Sequence, residues 1–477
     1  MKINIARASV VLLLGACGSE ADDDSDFDDL QVPATYAFES RFTPGQSSVA
    51  YAGQTFRFVQ ISEIDAYLVS LTASIDEGSR TVSAGDIRAD LEFFFDYDPS
   101  VGAGVPLTMQ TQPPLMQTTF GEAGGSQTLA SKIAGEDAVG QHEDWSTELV
   151  GLDPGLTPLQ VVRQWFDEVD ALAVDRTAGV EVLGPDGTPV SDVFVTADGR
   201  DLRQLIQKFI TGAVAYSQAA DDYLDDDTDG KGLRSSNEQD GDATYSALEH
   251  QWDEGFGYFG AARDYLDYTD EEIAGRGGRA DYAAGYHDSN GDGRIDLQSE
   301  FNFGHSTNAA KRDLGAQVQT DYTADAMRAF LEGRAIITSA EGELDDAQRA
   351  ALEDARDRVL LAWERSIAAT AVHYVNDTLQ DMAAFGTDDY AFETHAKHWS
   401  ELKGFALVLQ FSPRSTLSDA ELLEVHQLLG SSPVLPSDTS EEVTAYRDAL
   451  LDARGIIGRG FGFAAANLGD ASGMDGW

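Results

Sequence analysis

The sequence is short of cysteine, of basic residues and of long apolar runs, and each shortage excludes a class of protein. Cys17 is the only cysteine, so the chain has no internal disulfide. It carries 32 Lys and Arg against 83 Asp and Glu, for a net charge of −51. Nucleic acid is therefore not an expected partner, because binding it requires clustered cations. Beyond the N-terminal region, no segment reaches the roughly 18 apolar residues that a membrane-spanning helix needs. With 42% hydrophobic residues over 477 positions, most of the chain should be globular.

The N-terminus has the order of features found in secretory signals. Lys2 and Arg7 precede a short apolar run at 10–14, and small residues lead into Cys17. This order predicts a lipoprotein signal peptide over residues 1–16, with Cys17 as the lipidated first residue of the mature protein. An ordinary signal peptide or a short buried helix is the alternative. We expect a lipid anchor in the cell envelope, and glycine rather than aspartate after Cys17 favours the outer membrane.

The rest of the chain divides by composition. Residues 17–32 are acidic and of low complexity, which predicts a disordered tether. Residues 33–477 predict a helical domain. This domain is either one unit or two packed bundles, 33–265 and 297–477, joined by a loop segment of the cation-binding type.

Hydrophobic periodicity near 3.6 residues dominates the domain and predicts an all-α multi-helix bundle with long loops. The expected helices cover about 61–73, 201–224, 243–266, 321–339, 345–385, 388–411 and 418–430, with another starting near 297. A capping box from Ser418 to Glu421 marks the start of the helix at 418–430. One small β-hairpin is predicted at 179–196, turning at 185–187.

The stretch "HDSNGDGRIDLQSE" at 287–300 has the oxygen spacing of a calcium loop, with Gly293 at the sharp turn. The predicted Ca²⁺ residues are Asp288, Asn290, Asp292, Arg294, Asp296 and Glu300. Ser299 stands where a bidentate glutamate is usual, and no clear helix precedes the loop. A metal-free loop that caps the following helix is the alternative.

Histidines and carboxylates recur at helical spacing in three segments, "LEHQWDEGFGYFG", "TAVHYVNDTLQDM" and "ETHAKHWSELKGF". The residues predicted to line a metal or ligand pocket are His250, Asp253, Glu254, His373, Asp377, His398 and Glu401. Imidazole with carboxylate suits iron, zinc or manganese when the helices converge. Separate structural roles for these histidines are the alternative. An HExxH motif is absent.

Several longer stretches carry a family resemblance, among them "EHQWDEGFGYFG", "DSNGDGRIDLQSEFNFG", "NAAKRD" and "KHWSELKGFALVLQFSP". Together they resemble a family of bacterial lipoproteins classed as a domain of unknown function. A second resemblance is to imelysin-like proteins, which are helical envelope proteins tied to iron uptake. Their G-x-H-x-x-E motif matches here at His398 and Glu401, with Ala396 in place of the glycine.

These observations predict a non-enzymatic, lipid-anchored envelope protein that binds a metal ion or a metal-bearing ligand and serves iron acquisition. Iron or another transition metal would be the cofactor or cargo, beside Ca²⁺ at 288–300. Expected partners are the membrane, through the anchor, and an envelope protein. The alternative is a calcium-stabilised scaffold lipoprotein without a transition metal. A metallohydrolase is the third reading.

Overall fold

The computed structural model describes residues 30–137 and 141–477, so the predicted signal peptide and the predicted lipidation site Cys17 lie outside the described residues. Fifteen α-helices are found in the described part. They are α1 (Ala52–Asp76), α2 (Asp86–Phe95), α3 (Pro99–Gly102), α4 (Phe120–Ala123), α5 (Pro158–Thr177), α6 (Leu202–Ile210), α7 (Ala247–Phe259), α8 (Asp270–Ile273), α9 (Gly304–Gly315), α10 (Tyr322–Ser339), α11 (Asp346–Ala383), α12 (Phe392–Val408), α13 (Asp419–Leu429), α14 (Ser440–Gly460) and α15 (Ala465–Leu468). The all-α prediction is confirmed.

Local sequence sets where many of the helices start. Capping boxes open α5, α7, α11, α13 and α14, and the predicted one at Ser418 and Glu421 is confirmed. In each box a side chain binds an otherwise unpaired backbone N–H, which stabilises the helix by about 1 kcal/mol. The helix expected near 297 begins only at Gly304, because residues 288–301 form an irregular loop.

The 38-residue helix α11 runs through the middle of the fold. It packs against α9, α10, α12 and α14, while α12 also packs against α6 and α10 against α7. Helices from 33–265 and from 297–477 therefore share one hydrophobic core. No helix in the described part of the chain is both long and apolar enough to cross a membrane.

Two π-helical turns follow α6, at Thr211–Tyr216 and Ala219–Tyr223. A π-turn has wider hydrogen bonding than an α-turn and is rare outside functional or strained positions. Gly212 lets the first turn lie directly on α12, since a Cβ at that position would come within 2.3 Å of Val408 Cγ2. Thr211, at the start of the first turn, lines the cavity described below.

The predicted hairpin at 179–196 does not form strands. A single isolated antiparallel bridge pairs Leu183 with Pro189. Backbone bonds from Gly184 N to Thr188 O and from Val190 N to Val182 O close the turn at 2.8 and 2.9 Å. The chain therefore turns at this point, but neither flank extends into a strand, and the predicted hairpin is not found.

Candidate functional site

A cavity of about 270 Å³ lies where α1, α6, α9, α11 and α12 meet. Helix α9 supplies one wall with side chains at 305, 308 and 312, which follow the helical repeat along one face. Helix α11 contributes His373 and Tyr374, and α12 contributes Glu401 and Phe405. The cavity thus collects residues from parts of the chain nearly 350 positions apart.

Four cations line this cavity, although the chain as a whole is strongly acidic. They are Lys208, Arg276, Lys311 and Arg312. Glu401 is the only carboxylate among the lining residues, and its Oε1 lies 3.5 Å from Lys208 Nζ. We call these four side chains with Glu401 the cationic pocket.

Arg312 is buried at 4% exposure, and its Nε and Nη1 have no hydrogen-bond partner in the described part of the chain. A buried charge left unpaired carries a desolvation penalty that ordinary proteins avoid. Arg334, equally buried, shows the usual solution, because it pairs with both Asp253 and Glu249. The free guanidinium atoms of Arg312 are therefore available to a ligand.

The pocket cations also repel one another, which makes the protonated form of each less favourable. Burial, followed by the charges of Lys208, Arg276 and Arg312, lowers the pKa of Lys311 to about 8. Burial lowers the pKa of Arg312 to about 10, with Arg276 adding to the effect. A bound anion would relieve this repulsion, since an opposite charge nearby favours the charged form of each base.

Lys208 reaches the cavity because α6 and α12 approach closely. A Cβ on Gly404 would lie 2.6 Å from Lys208 Cβ, so the lysine stem packs where α12 has no side chain. Burial lowers the pKa of Lys208, partly offset by the charge of Glu401. Glu401 therefore neutralises one of the four cations and leaves the others without a carboxylate partner inside the pocket.

His305 adds a neutral hydrogen-bond donor to the same wall. Its Nδ1 accepts a hydrogen bond from Trp363 Nε1 at 2.9 Å, which assigns the ring proton to Nε2. Burial lowers the pKa of His305 to about 3, so the ring is uncharged at neutral pH. A neutral N–H can bind an anionic or carbonyl oxygen without adding to the crowded positive charge.

The structure brings together three of the histidine and carboxylate residues predicted from sequence. His373 Nε2 and His398 Nε2 lie 3.3 and 3.9 Å from the same Oδ2 atom of Asp377. His398 Nδ1 lies 2.8 Å from Asp381 Oδ2. Of these residues only His373 lines the cationic pocket, where it is joined by Glu401, a further member of the predicted set.

The pKa values of the two histidines in this cluster are shifted in opposite directions. Burial, followed by the charge of Arg312, lowers the pKa of His373 to about 3. For His398 burial acts in the same direction, but the hydrogen bond to Asp381 and the charges of Asp381 and Asp377 outweigh it and raise the pKa. The contact with Asp381 thus favours the protonated form of His398.

The structure does not bring His250, Asp253 and Glu254 to this site. His250 stacks on Tyr245 and binds Ala50 O at 3.0 Å through Nδ1. His250 and Glu254 line a different cavity, which shares no lining residue with the cationic pocket. Asp253 is fully buried and binds Arg334 and Tyr36, so it serves the core.

The predicted calcium loop is closed by hydrogen bonds of its own. Glu300 is buried, and its carboxylate accepts hydrogen bonds from the backbone of Ser289, Asn290 and Asp296. Asp288 accepts three more from the backbone N–H groups at 291, 292 and 293. The other predicted oxygens, on Asn290, Asp292 and Asp296, also accept backbone hydrogen bonds. Arg294 contributes its backbone N–H to Asp292.

Within residues 30–137 and 141–477, no group of three or more His, Cys, Asp or Glu side chains has an arrangement that could hold a metal ion. The lining of the cationic pocket instead combines four cations with a single carboxylate. Sequence reasoning missed its main residues, Lys208, His305, Lys311 and Arg312. The adjacent Lys311 and Arg312 in "NAAKRD" were the available signal, being a doubled cation on a helix of a very acidic chain.

Fold and site thus define an all-α protein with a polar, cation-lined interior cavity between its helices. The chain belongs to the family described as "Domain of unknown function (DUF4856)", whose model matches residues 157–431, more than half of the sequence. The predicted membership in such a family is confirmed. No curated protein and no solved structure gave a match. The matched region includes the parts of α6, α9, α11 and α12 that line the pocket.

Proposed function

We propose that this chain is an envelope binding protein for a small anionic ligand, held in the cationic pocket. One observation carries the proposal: Arg312, which is buried, and Lys311 face a cavity and have no carboxylate partner within residues 30–137 and 141–477, in a protein of net charge −51. Ligand sites keep a few unsatisfied polar groups that a ligand then satisfies, whereas purely structural interiors pair them. With the lipid anchor predicted at Cys17, this binding would occur at the membrane surface.

The positive charge of the pocket determines in which form a metal could bind there. Lys208, Lys311 and Arg312 would repel a bare cation, but they attract a metal carried by a chelator with excess negative charge. A ferric complex of a small hydroxy-polycarboxylate has that character. This form of the proposal retains the predicted link to iron acquisition and the imelysin-like resemblance at Glu401, which lines the pocket.

The cavity volume of about 270 Å³ limits the size of the ligand. Drug-sized ligands occupy pockets of about 300–1,000 Å³, so this one suits an anion with a few carboxylate or phosphate groups. His305 and Thr211 offer neutral hydrogen-bonding groups between the cations. The expected ligand is therefore small, multiply charged and oxygen-rich.

Titration calorimetry with ferric citrate, iron-free citrate and inorganic phosphate, beside Zn²⁺ and Fe²⁺ without chelator, tests this function. We expect the citrate ligands to bind and the bare ions to show no heat at the pocket. Lys311→Met should weaken citrate binding at least about tenfold, because each desolvated charge pair contributes on that scale. Binding of bare metal without binding of citrate would contradict the proposal and would instead favour the cluster of His373, Asp377 and His398.

A second proposal concerns the loop at 288–300, which we propose to be a calcium-stabilised fastener between α7 and α9. It is supported by the side-chain oxygens of half-buried Asp288 and of exposed Asn290 and Asp292, on one loop whose Glu300 end is buried. Such a role needs oxygen ligands and a fixed loop, both of which Ca²⁺ prefers. It is compatible with the cationic pocket, because the loop does not line it.

We expect Asp292→Ala to lower the melting temperature and to leave citrate affinity unchanged. The variant removes an acceptor for the Arg294 N–H and one oxygen of the calcium site. Added Ca²⁺ should raise the melting temperature of the wild type and have less effect on the variant. Asp388→Ala, at an exposed position in another loop, is the matched control. An equal response of both variants to Ca²⁺ would exclude the fastener.

A further inference from the structure

A second cavity, of about 330 Å³, lies on the opposite side of α12 from the cationic pocket. Glu401 and Phe405 line the cationic pocket, whereas Trp399 and Lys403 line this one. Residues four apart share a helix face and residues two apart do not, so one helix separates two distinct sites. The remaining walls come from α5, α6, α13 and the segment 151–156.

Most of this second cavity is apolar. Leu152, Leu156, Trp165 and Leu423 face it, and Leu423 is 43% exposed at its edge. Trp399 lies deeper, where its Nε1 donates to Tyr446 Oη at 2.7 Å. An apolar wall with a few fixed polar groups is typical of small-molecule sites.

Two polar side chains in the cavity lack the partners that buried groups normally have. Lys403 is 3% exposed, and its Nζ donates to Gly430 O at 2.8 Å, a neutral acceptor. His426 is equally buried, and neither ring nitrogen has a hydrogen-bond partner in the described part of the chain. Each such group costs stability unless something else satisfies it.

Backbone geometry holds His426 in this position. Gly151, in the left-handed region at φ +82°, lies so close that a Cβ there would come within 2.5 Å of the imidazole Cγ and Nδ1. Any other residue at 151 would push the ring away or strain the backbone. Among the residues that the structure describes, the imidazole of His426 is thus unsatisfied and Lys403 beside it has no carboxylate partner.

We propose that this second cavity binds an amphipathic monoanion, such as a medium-chain carboxylate. Its carboxylate would pair with Lys403 and accept or share a hydrogen bond with His426. Its apolar body would lie against Trp165, Leu156 and Leu423. Binding here is independent of the cationic pocket, whose ligand is small and polar.

The charge state of the two groups fits this role. Burial lowers the pKa of Lys403 to about 7, so both of its forms are populated near neutral pH. Burial, followed by the charge of Lys403, lowers the pKa of His426 well below its usual value, so His426 is a neutral partner. Arg200 and Asp153 also line the cavity, and Arg200 already pairs with Glu168 and Asp198. An entering carboxylate therefore meets one cation that is not committed to an acid.

Octanoate and 1-octanol, matched in chain length, test the proposal by tryptophan fluorescence and calorimetry. We expect octanoate to bind the wild type at least about tenfold more tightly than octanol, because only the acid pairs with Lys403. Lys403→Met should remove that preference and keep octanol binding. Lys397→Met, a half-exposed lysine on the same helix, should keep the preference.

Equal binding of the two probes by the wild type would overturn the proposal, and so would an unchanged octanoate preference in Lys403→Met. If Lys403→Met does not fold, the preference for octanoate over octanol is still measured in the wild type and in Lys397→Met, and its absence from both would overturn the proposal. Citrate added in the same assay should leave octanoate affinity unchanged, since the two cavities lie on opposite faces of α12. Competition between them would show that the two ligands share one site.

Discussion

Arg312→Met should make the ligand-free protein more stable while weakening its binding of citrate at least about tenfold. The guanidinium is buried, and two of its nitrogens have no hydrogen-bond partner in the described part of the chain. Methionine keeps the apolar stem and removes the unpaired charge, which should raise the free energy of unfolding by about 1 kcal/mol. Thermal unfolding and calorimetry with citrate measure the two effects on the same samples.

The opposite signs of these two effects distinguish a ligand site from a structural role. Arg328→Met is the control, because Arg328 is 64% exposed on α10 and lies 3.7 Å from Asp321 at the surface. It should change neither stability nor citrate affinity appreciably. A loss of stability in Arg312→Met would mean that the arginine serves the fold, and the anion-binding function would then lose its main support.

Arg334→Met should be among the most destabilising single substitutions in the described core, at about 3–5 kcal/mol. Arg334 is fully buried, and it pairs with Asp253 at 2.8 Å and Glu249 at 2.9 Å. Its Nη2 also donates to Ser48 Oγ at 2.7 Å. Removing the guanidinium leaves Asp253 buried without its counter-charge and leaves Glu249 with Arg41 alone. Urea unfolding followed by far-UV circular dichroism measures the loss.

Arg358→Met gives the matched comparison at the surface. Arg358 also pairs with two acids, Glu332 at 2.9 Å and Asp354 at 2.8 Å, but its side chain is 41% exposed. Solvent screens both pairs, so the expected cost is below about 1 kcal/mol. Similar losses for the two variants would show that the Arg334 network is hydrated and does not form a dry core.

Arg312 and Arg334 illustrate why burial alone does not reveal the role of a charge. Both are arginines on helices, and both are almost inaccessible to solvent. Arg334 has two carboxylate partners, whereas Arg312 faces a cavity with other cations. The sequence around each residue gives no sign of this difference, because the partners lie on other helices.

Periodicity located most helices, and the misses have physical reasons. Helix α1 begins at Ala52, about nine residues before its expected start. The prediction missed this first part because polar residues such as Gln54, Arg57 and Gln60 are buried along it, which hides the amphipathic pattern. A helix buried on several sides shows little amphipathic pattern. The helix expected near 297 starts later, because Glu300 is used to close the preceding loop.

For the site, spacing correctly paired His373 with Asp377, since an i, i+4 pair is local to one helix. It could not assign His398 to the same carboxylate, because that contact joins α11 to α12. His250 has the same i, i+4 pattern with Glu254 and yet lies in another cavity. The local spacing is the same in both pairs, and only the packing of the helices places the two pairs in different cavities.

The sequence by itself determined the helical class, the capping of several helices, the acidic balance and the family. These properties depend on neighbours within a few residues or on composition, so they can be read without a fold. Only the tertiary structure decided that Lys208, His305, Lys311 and Arg312 share one cavity and that Lys403 and His426 share another. A cavity forms from side chains of separate helices, and its charge depends on which partners the packing leaves out.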